Sequence, residues 1–144
     1  MVYRDKGHYA AKHPGETRID EQIAALIRDS SENQAITCSD AVAIASATGK
    51  TILEVGVNLD LLEIRITLCQ LGLFGFSRDK RAIQPAESVD RDLKKVIEAN
   101  LQEGRLSCEG IWKIAGQLNL PRMVVSEACE ALKIKIKPCQ LGAF

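Results

Sequence analysis

The chain has 144 residues, of which 46% are hydrophobic and 26% charged, and its 19 basic and 19 acidic residues give a formal net charge of zero. This composition fits one compact domain or two small ones and excludes a collagen-like, low-complexity or wholly disordered protein. The longest apolar stretches fall short of the ~20 residues that a membrane span needs, and residues 1–6 lack the apolar core of a signal peptide. We therefore expect a cytoplasmic protein with no membrane partner.

The first half of the chain predicts three helices followed by a strand. After a flexible N-terminal tail over residues 1–19, Asp20 suits the N-cap of a first helix whose apolar residues recur at helical spacing. A second helix is predicted over 38–47, after a hydroxyl residue, and a third over 51–62. Residues 64–69 then alternate apolar and polar side chains, which is typical of a half-buried strand.

The second half of the chain repeats this pattern 70 residues later. Residues 38–74 and 108–144 share 12 identical residues in 37 positions aligned without a gap, and both end in Cys-Gln-Leu-Gly-x-Phe. The offset predicts a tandem duplication, with a first repeat over 20–75, a basic, wing-like linker over 76–89 and a second repeat over 90–144. The predicted fold class is mainly α with short β-strands.

The second and third helices carry the spacing of a helix-turn-helix. A small residue in the second helix is followed four positions later by Gly or Asn, which suit a left-handed turn, and six positions after that by an aliphatic residue. These residues are Ala45, Gly49 and Val55 in the first repeat and Ala115, Asn119 and Val125 in the second. The pattern resembles that of winged-helix proteins, and this resemblance implies tandem winged-helix-like units that bind nucleic acid.

The strand that ends each repeat departs from the winged-helix pattern. A full wing adds a second strand to form a hairpin, and no residues for one follow in the second repeat, so we expect a truncated wing. A lone strand has two unpaired edges. Residues 36–38 and 106–108 can pair one edge, and the strand of the other repeat or of a second subunit can pair the other. We therefore expect a protein partner or a homodimer, formed through strands or the apolar face of the third helix.

Charge gives only partial support to DNA binding. Residues 20–63 contain 2 basic and 8 acidic residues, a net charge of −6, whereas a DNA-binding domain usually presents a basic surface. The resemblance makes residues of the second repeat and the linker the candidate contacts to duplex DNA, namely Arg122, Ser126, Lys113, Arg78, Lys80 and Arg81. The alternative is a protein-interaction or assembly module that has the same fold and does not bind DNA.

The five cysteines are an odd number without a C-x-x-C pair, which argues against a disulfide scaffold and a standard structural zinc site. Four of them recur at the same offset, near helix starts or basic strand residues that favour a thiolate: Cys38, Cys69, Cys108 and Cys139. They suggest a thiol-based redox or metal sensor, or else a small apolar filler that the duplication retained. Cys129 is predicted to lie in the core, and the spacing identifies no cofactor.

No catalytic motif is present in the sequence. The two histidines, His8 and His13, lie in the predicted tail, and neither a Ser-His-Asp set nor a His-Glu-x-x-His motif occurs. We expect a non-catalytic regulatory protein, with transcription regulation as the first hypothesis. Gln70 and Gln140 follow Cys in both repeats although strand packing does not require glutamine, so the end of each strand is a candidate functional position.

Overall fold

The computed structural model describes residues 8–77 and 80–144 and is mainly helical with short strands, as predicted. None of the described helices has the length and hydrophobicity of a membrane span. In chain order the elements are a 3-10 helix (Tyr9–Lys12), α1 (Glu21–Ser30), β1 (Ala35–Thr37), α2 (Cys38–Thr48), α3 (Ile52–Leu61), β2 (Arg65–Thr67), α4 (Arg91–Ala99), β3 (Arg105–Leu106), α5 (Cys108–Leu118), α6 (Arg122–Ala131) and β4 (Lys135–Ile136).

Side-chain caps fix where the helices begin. The carboxylate of Asp20 accepts hydrogen bonds from the backbone N–H groups of Gln22 (2.9 Å) and Ile23 (3.1 Å), which confirms the predicted N-cap of α1. A capping box starts α3: the Thr51 hydroxyl accepts from the Glu54 N–H at 3.0 Å, and the Glu54 carboxylate accepts from the Thr51 N–H at 2.7 Å. This second hydrogen bond holds the pKa of Glu54 below its ordinary value.

The turns between the second and third helices are left-handed, as predicted. Gly49 has φ 72° after α2, and Asn119 has φ 56° after α5. The aliphatic residues that follow, Val55 and Val125, are completely buried. Each turn therefore brings the third helix back onto the first and second, where its valine closes a three-helix core.

The strands pair in parallel, β1 with β2 and β3 with β4. This confirms the predicted pairing of the segments before the second helices with the terminal strands. In the described residues the two pairs form separate sheets, so the strands of the two repeats do not pair with each other. β2 is shorter than the predicted strand over 64–69 because Leu68 has φ 48°, a left-handed conformation that ends the extended run.

The chain divides into two compact units whose boundaries differ from those of the sequence repeat. Unit 1 contains the described residues up to Cys69 together with Gln140–Phe144, and unit 2 contains the described residues of Gln70–Cys139. The repeat groups residues 70–75 with α1–α3 and residues 140–144 with α4–α6. In the structure, residues 70–75 belong to unit 2 and residues 140–144 belong to unit 1. We call residues 70–74 and 140–144 the Leu-Gly segments.

Candidate functional site

The Leu-Gly segment of unit 1 packs against α3. Its residues Leu141 and Ala143 are 2% and 3% exposed. The segment lies so close to Gly56 that a Cβ at this position would overlap the carbonyl oxygen of Leu141 and lie 2.6 Å from its carbonyl carbon. Gly56 therefore provides the space that the backbone of the segment occupies.

The glycine of the segment has a conformational role. Gly142 has φ 80° and Gly72, at the same place in the other segment, has φ 76°, a region that favours glycine. The Gly142 carbonyl oxygen accepts a hydrogen bond from Nζ of Lys12 at 3.2 Å. The glycine common to both segments thus sets the bend that presents its carbonyl group to the rest of the unit.

Residues before α1 also dock on α3. Asp60 is only 8% exposed, and its carboxylate lies 3.0 Å from Nζ of Lys12 and 2.8 Å from Nε2 of His13. Tyr9, in the 3-10 helix, is 5% exposed. The prediction of a flexible tail over residues 1–19 is therefore wrong for residues 9–13. The buried Asp60 carboxylate holds the side chains of Lys12 and His13, which the sequence analysis places in solvent.

Replacement Asp60→Asn is expected to lower the free energy of unfolding by about 1–3 kcal/mol, since it weakens charge-assisted hydrogen bonds at a buried position. Urea unfolding followed by far-UV circular dichroism measures the change. Asp29→Asn is the matched control because Asp29 is exposed on α1, and we expect a change within about 0.5 kcal/mol there. Equal effects of the two variants would contradict the docking role of Asp60.

The Leu-Gly segment of unit 2 packs against α6 and the residues before α4. Leu71 is 1% exposed. A Cβ at Gly72 would lie 2.5 Å from Cγ2 of Ile83 and 3.4 Å from Sδ of Met123. The segment therefore lies between α6, which carries Met123, and the preceding stretch, which carries Ile83.

Gln70 has a specific partner in unit 2. Its side-chain oxygen accepts a hydrogen bond from the guanidinium group of Arg122, the first residue of α6. The same guanidinium lies over the ring of Trp112, 3.6 Å from its centroid, which is a cation–π contact. Gln70 thus joins the start of the Leu-Gly segment to α5 and α6, a role that strand packing alone does not provide.

Part of the predicted linker over 76–89 is docked rather than extended into solvent. The Ala82 N–H donates to the Gly72 carbonyl oxygen at 2.8 Å, and the Ala86 N–H donates to the Glu127 carbonyl oxygen at 3.1 Å. These two hydrogen bonds fasten the stretch before α4 to both the Leu-Gly segment and α6. In unit 2, as in unit 1, the segment is held between the third helix and the residues before the first helix.

The two docking arrangements correspond at an offset of 70 residues, with one steric difference. The Gly142 carbonyl accepts from the side chain of Lys12, and the Gly72 carbonyl accepts from the backbone of Ala82, which is 70 residues after Lys12. The counterpart of Gly56 is Ser126, so unit 2 accommodates a Cβ at the position where unit 1 excludes one. Only unit 1 therefore requires a glycine in the third helix.

Two of the candidate DNA contacts are engaged inside unit 2. Ser126 is completely buried, and its hydroxyl donates to the carbonyl oxygen of Arg122 at 3.3 Å. The Arg122 guanidinium is occupied by Gln70 and the Trp112 ring. Both side chains therefore hold unit 2 together in this structure, and neither is directed at an external ligand.

Two of the other four candidates form ion pairs with acidic side chains. Lys113 is an exposed residue of α5 whose ammonium lies 3.1 Å from the Glu109 carboxylate, and Arg81 forms an ion pair with Glu130. Lys80 is exposed, and Arg78 lies outside the described residues. Acidic partners neutralise two of these four side chains, which weakens their attraction for phosphate.

The sequence contains one signal for the docking site that the repeat obscures. A glycine between two valines in a helix costs about 1 kcal/mol relative to alanine, which indicates a close backbone approach. Gly56 is such a residue, but its replacement by Ser126 in the second repeat hides its importance. No comparable signal marks Asp60, because an acidic residue on a helix is usually exposed to solvent.

The cysteines lie mainly in the core and form no disulfide, and all five belong to the described part of the chain. Cys38 and Cys108 begin α2 and α5, as predicted, and are buried together with Cys69 and Cys129, whereas Cys139 is half-buried. Across residues 8–77 and 80–144, no group of three His, Cys, Asp or Glu side chains is placed to hold a metal ion. The redox hypothesis stays a prediction.

Cys129 is expected to resist alkylation in the folded protein. Burial, with a smaller contribution from the charge of Glu130, raises its pKa from 9.0 to about 12. Folding therefore favours the thiol, and the resulting stabilisation is present below pH 9 and is lost as the pH rises towards 12. Mass spectrometry after an iodoacetamide pulse at pH 8 should find Cys139 modified first, with Cys139→Ser as the control. Modification of Cys129 at the unfolded-chain rate would contradict this assignment.

An open groove of roughly 370 Å³ lies in unit 1 between residues 18–20 and α3. Its apolar lining includes Ile19 and Leu53, which are 37% and 57% exposed, and the half-buried Val57. Leu53 borders the Leu-Gly segment, since its Cδ1 would lie 3.3 Å from a Cβ at Gly142. The apolar surface beside the docked segment is therefore only partly covered by unit 1 itself.

Comparison of the chain with protein-family models, curated proteins and solved structures finds no match.

Proposed function

We propose that this chain is a non-catalytic protein-interaction or assembly module whose third helix binds a bent segment of the type Gln-Leu-Gly-x-Phe. The observation that carries the proposal is the contact of Leu141 with Gly56, in which a buried leucine is combined with a backbone approach that only glycine permits. Peptide-recognition sites use the same combination of an apolar pocket for one side chain and close contacts with the backbone.

The expected free energy of this contact corresponds to a weak interaction, because a dissociation constant of 1 mM already requires about 4.1 kcal/mol. Complete burial of a leucine side chain contributes roughly 1.5–3 kcal/mol, and a hydrogen bond to a charged group contributes about 1.5–3 kcal/mol when it is well buried. The hydrogen bond from Lys12 to Gly142 is exposed, so its contribution lies below that range. The burial of Leu141 therefore supplies most of the affinity, and Gly56 supplies the selectivity for a closely approaching backbone.

The charges of the third helices favour protein over DNA as the ligand. On α6, Glu127 accepts from the Gln84 N–H and Glu130 pairs with Arg81, while the first-turn residue Arg122 is engaged by Gln70. On α3 the exposed side chains include the apolar Leu53, and residues 20–63, which contain α3, have a net charge of −6. Helices of this kind attract apolar partners more strongly than phosphate.

The DNA-binding hypothesis remains testable in its own right. A fluorescence-anisotropy titration of random duplex at low salt, where electrostatic attraction is least screened, is expected to show no binding. Salt-sensitive binding that is weakened by replacement of the exposed Lys80 and Lys113 by glutamine would favour DNA over protein as the ligand.

The proposed function is tested with a chain that lacks residues 140–144 and a fluorescently labelled Gln-Leu-Gly-Ala-Phe peptide. We expect saturable binding, detected as a rise in fluorescence anisotropy. The matched control peptide, Gln-Asp-Gly-Ala-Phe, should not bind, because its aspartate would be buried without a partner. The additional substitution Gly56→Val should abolish binding of the leucine peptide.

A shortened chain that retains its helical circular dichroism but does not bind the peptide would contradict the proposed function. If the shortened chain is not helical, the same titration is performed with the full-length Leu141→Asp variant, which retains every other residue of the segment. Binding to either acceptor supports the proposal, and its absence from a folded acceptor overturns it.

A further inference from the structure

We propose that the protein self-associates by exchanging residues 140–144 between two copies, so that each copy places its Leu-Gly segment against α3 of the other. This inference rests on the proposed function, since it requires that unit 1 bind the segment. It goes further by identifying the partner as a second copy of this chain.

A short connection joins the segment to unit 2. The Lys137 N–H donates to the Leu106 carbonyl oxygen and the Cys108 N–H donates to the Pro138 carbonyl oxygen, both at 3.0 Å. The chain is therefore fastened to unit 2 as far as Pro138, whereas Leu141 is already buried in unit 1. Cys139 and Gln140 form the connection, and the proposed exchange requires changes in their backbone angles.

The contacts of the segment do not depend on which copy supplies it. Leu141 approaches Gly56, Gly142 accepts a hydrogen bond from Lys12, and both partners lie in the first 69 residues of the chain. A second copy presents the same surface, so exchange preserves every one of these contacts. Such exchange of an identical element is a low-cost route to a dimer.

The charge of the chain is compatible with this partner. The 19 basic and 19 acidic residues balance, so two copies do not repel each other through net charge at pH 7. The segment also meets both demands of the site, because it provides a leucine for the buried position and a glycine for the φ of 80° at Gly142. A second copy of the chain carries the same segment and therefore meets the same two demands.

Binding of the segment within one copy competes with exchange. A short tether gives an effective concentration on the order of 1 mM, so the monomer predominates far below that protein concentration. We expect the dimer fraction to rise as the concentration approaches ~1 mM, and an excess of the free Gln-Leu-Gly-Ala-Phe peptide to lower it. A copy whose defective segment leaves α3 open should bind, at lower concentrations, a copy whose intact segment has been released.

The decisive experiment mixes two complementary variants and measures mass by sedimentation velocity. Gly56→Val retains the segment but has a blocked α3, and Leu141→Asp retains an open α3 but has a defective segment. Each variant alone should remain monomeric up to ~1 mM, while their mixture should form a one-to-one heterodimer. Gly56→Ser replaces Gly56→Val if the valine variant does not fold, since unit 2 has Ser126 at the corresponding position.

The outcomes separate the two proposals. A heterodimer in the mixture, and a wild-type dimer that the peptide dissociates, would support exchange. A mixture and a wild-type protein that both stay monomeric, while Leu141→Asp binds the labelled peptide, would overturn exchange and leave the proposed function intact. If Leu141→Asp is folded and binds neither the peptide nor the second variant, both proposals are overturned.

Discussion

Replacement Gly56→Val is expected to expel residues 140–144 from unit 1 and to lower the free energy of unfolding by about 2–4 kcal/mol. The valine side chain would occupy the space of the Leu141 carbonyl group, which is backbone and cannot rotate away. Unit 1 would then lose the burial of Leu141 and Ala143. The magnitude combines about 1.5–3 kcal/mol for the leucine with a smaller contribution from the alanine and the lost close contacts.

Urea unfolding followed by circular dichroism measures this effect. Gly116→Val is the matched control, because Gly116 is an exposed residue of α5 with nothing within 4 Å of a Cβ placed there. The control should unfold within about 0.5 kcal/mol of the wild type. If Gly56→Val proves as stable as Gly116→Val, the contact between α3 and the segment does not form.

Replacement Leu71→Ala is expected to destabilise unit 2 by about 2–5 kcal/mol, the usual cost of truncating a buried leucine. It should also move the emission maximum of Trp112, the single tryptophan of the chain, to longer wavelength. Leu71 follows Gln70, whose hydrogen bond holds the Arg122 guanidinium over the indole ring. Loosening the segment therefore increases the access of water to Trp112.

The fluorescence measurement has a matched control in the other segment. Leu141→Ala removes the corresponding leucine from unit 1, so the emission of Trp112 in the folded protein should not change. Leu73→Ala, at a half-buried position, should destabilise the protein less than Leu71→Ala does. An equal shift of Trp112 emission in the Leu71 and Leu141 variants would contradict the assignment of residues 70–74 to unit 2.

Much of the fold is encoded by local sequence patterns. Asp20 caps α1, and Gly49 and Asn119 make the turns, because carboxylate capping and left-handed backbone depend on the residue type itself. The pairing of β1 with β2 is also predicted from the sequence, whereas its parallel direction is shown by the structure. These features require no knowledge of the rest of the molecule.

The helix against which each Leu-Gly segment packs could not be predicted from the sequence. Both segments have the sequence Gln-Leu-Gly-x-Phe, so the pattern is compatible with docking on either third helix. The choice depends on side chains that differ between the repeats, such as Arg122, which holds Gln70, and Gly56, which admits Leu141. Such tertiary contacts leave no periodic signal in the chain.

The contacts of the charged residues in the docking sites could not be predicted from the sequence either. Lys12 and His13 have the appearance of a solvated tail, and Asp60 that of an exposed helical residue. Packing places both basic side chains within 3.0 Å of the Asp60 carboxylate. Arg122 was predicted to face an external ligand for the same reason, since sequence alone does not reveal that Trp112 and Gln70 flank it.

Residue-resolved amide hydrogen exchange of Leu141→Ala tests the central claim most directly, because exchange reports local opening of each helix separately. If residues 140–144 stabilise unit 1, the variant should lose protection in α3 while α6 keeps that of the wild type, and Leu71→Ala should show the reverse. Loss of protection in α6 but not in α3 on replacing Leu141 would show that the segment docks on the helices of its own repeat, and would contradict the account.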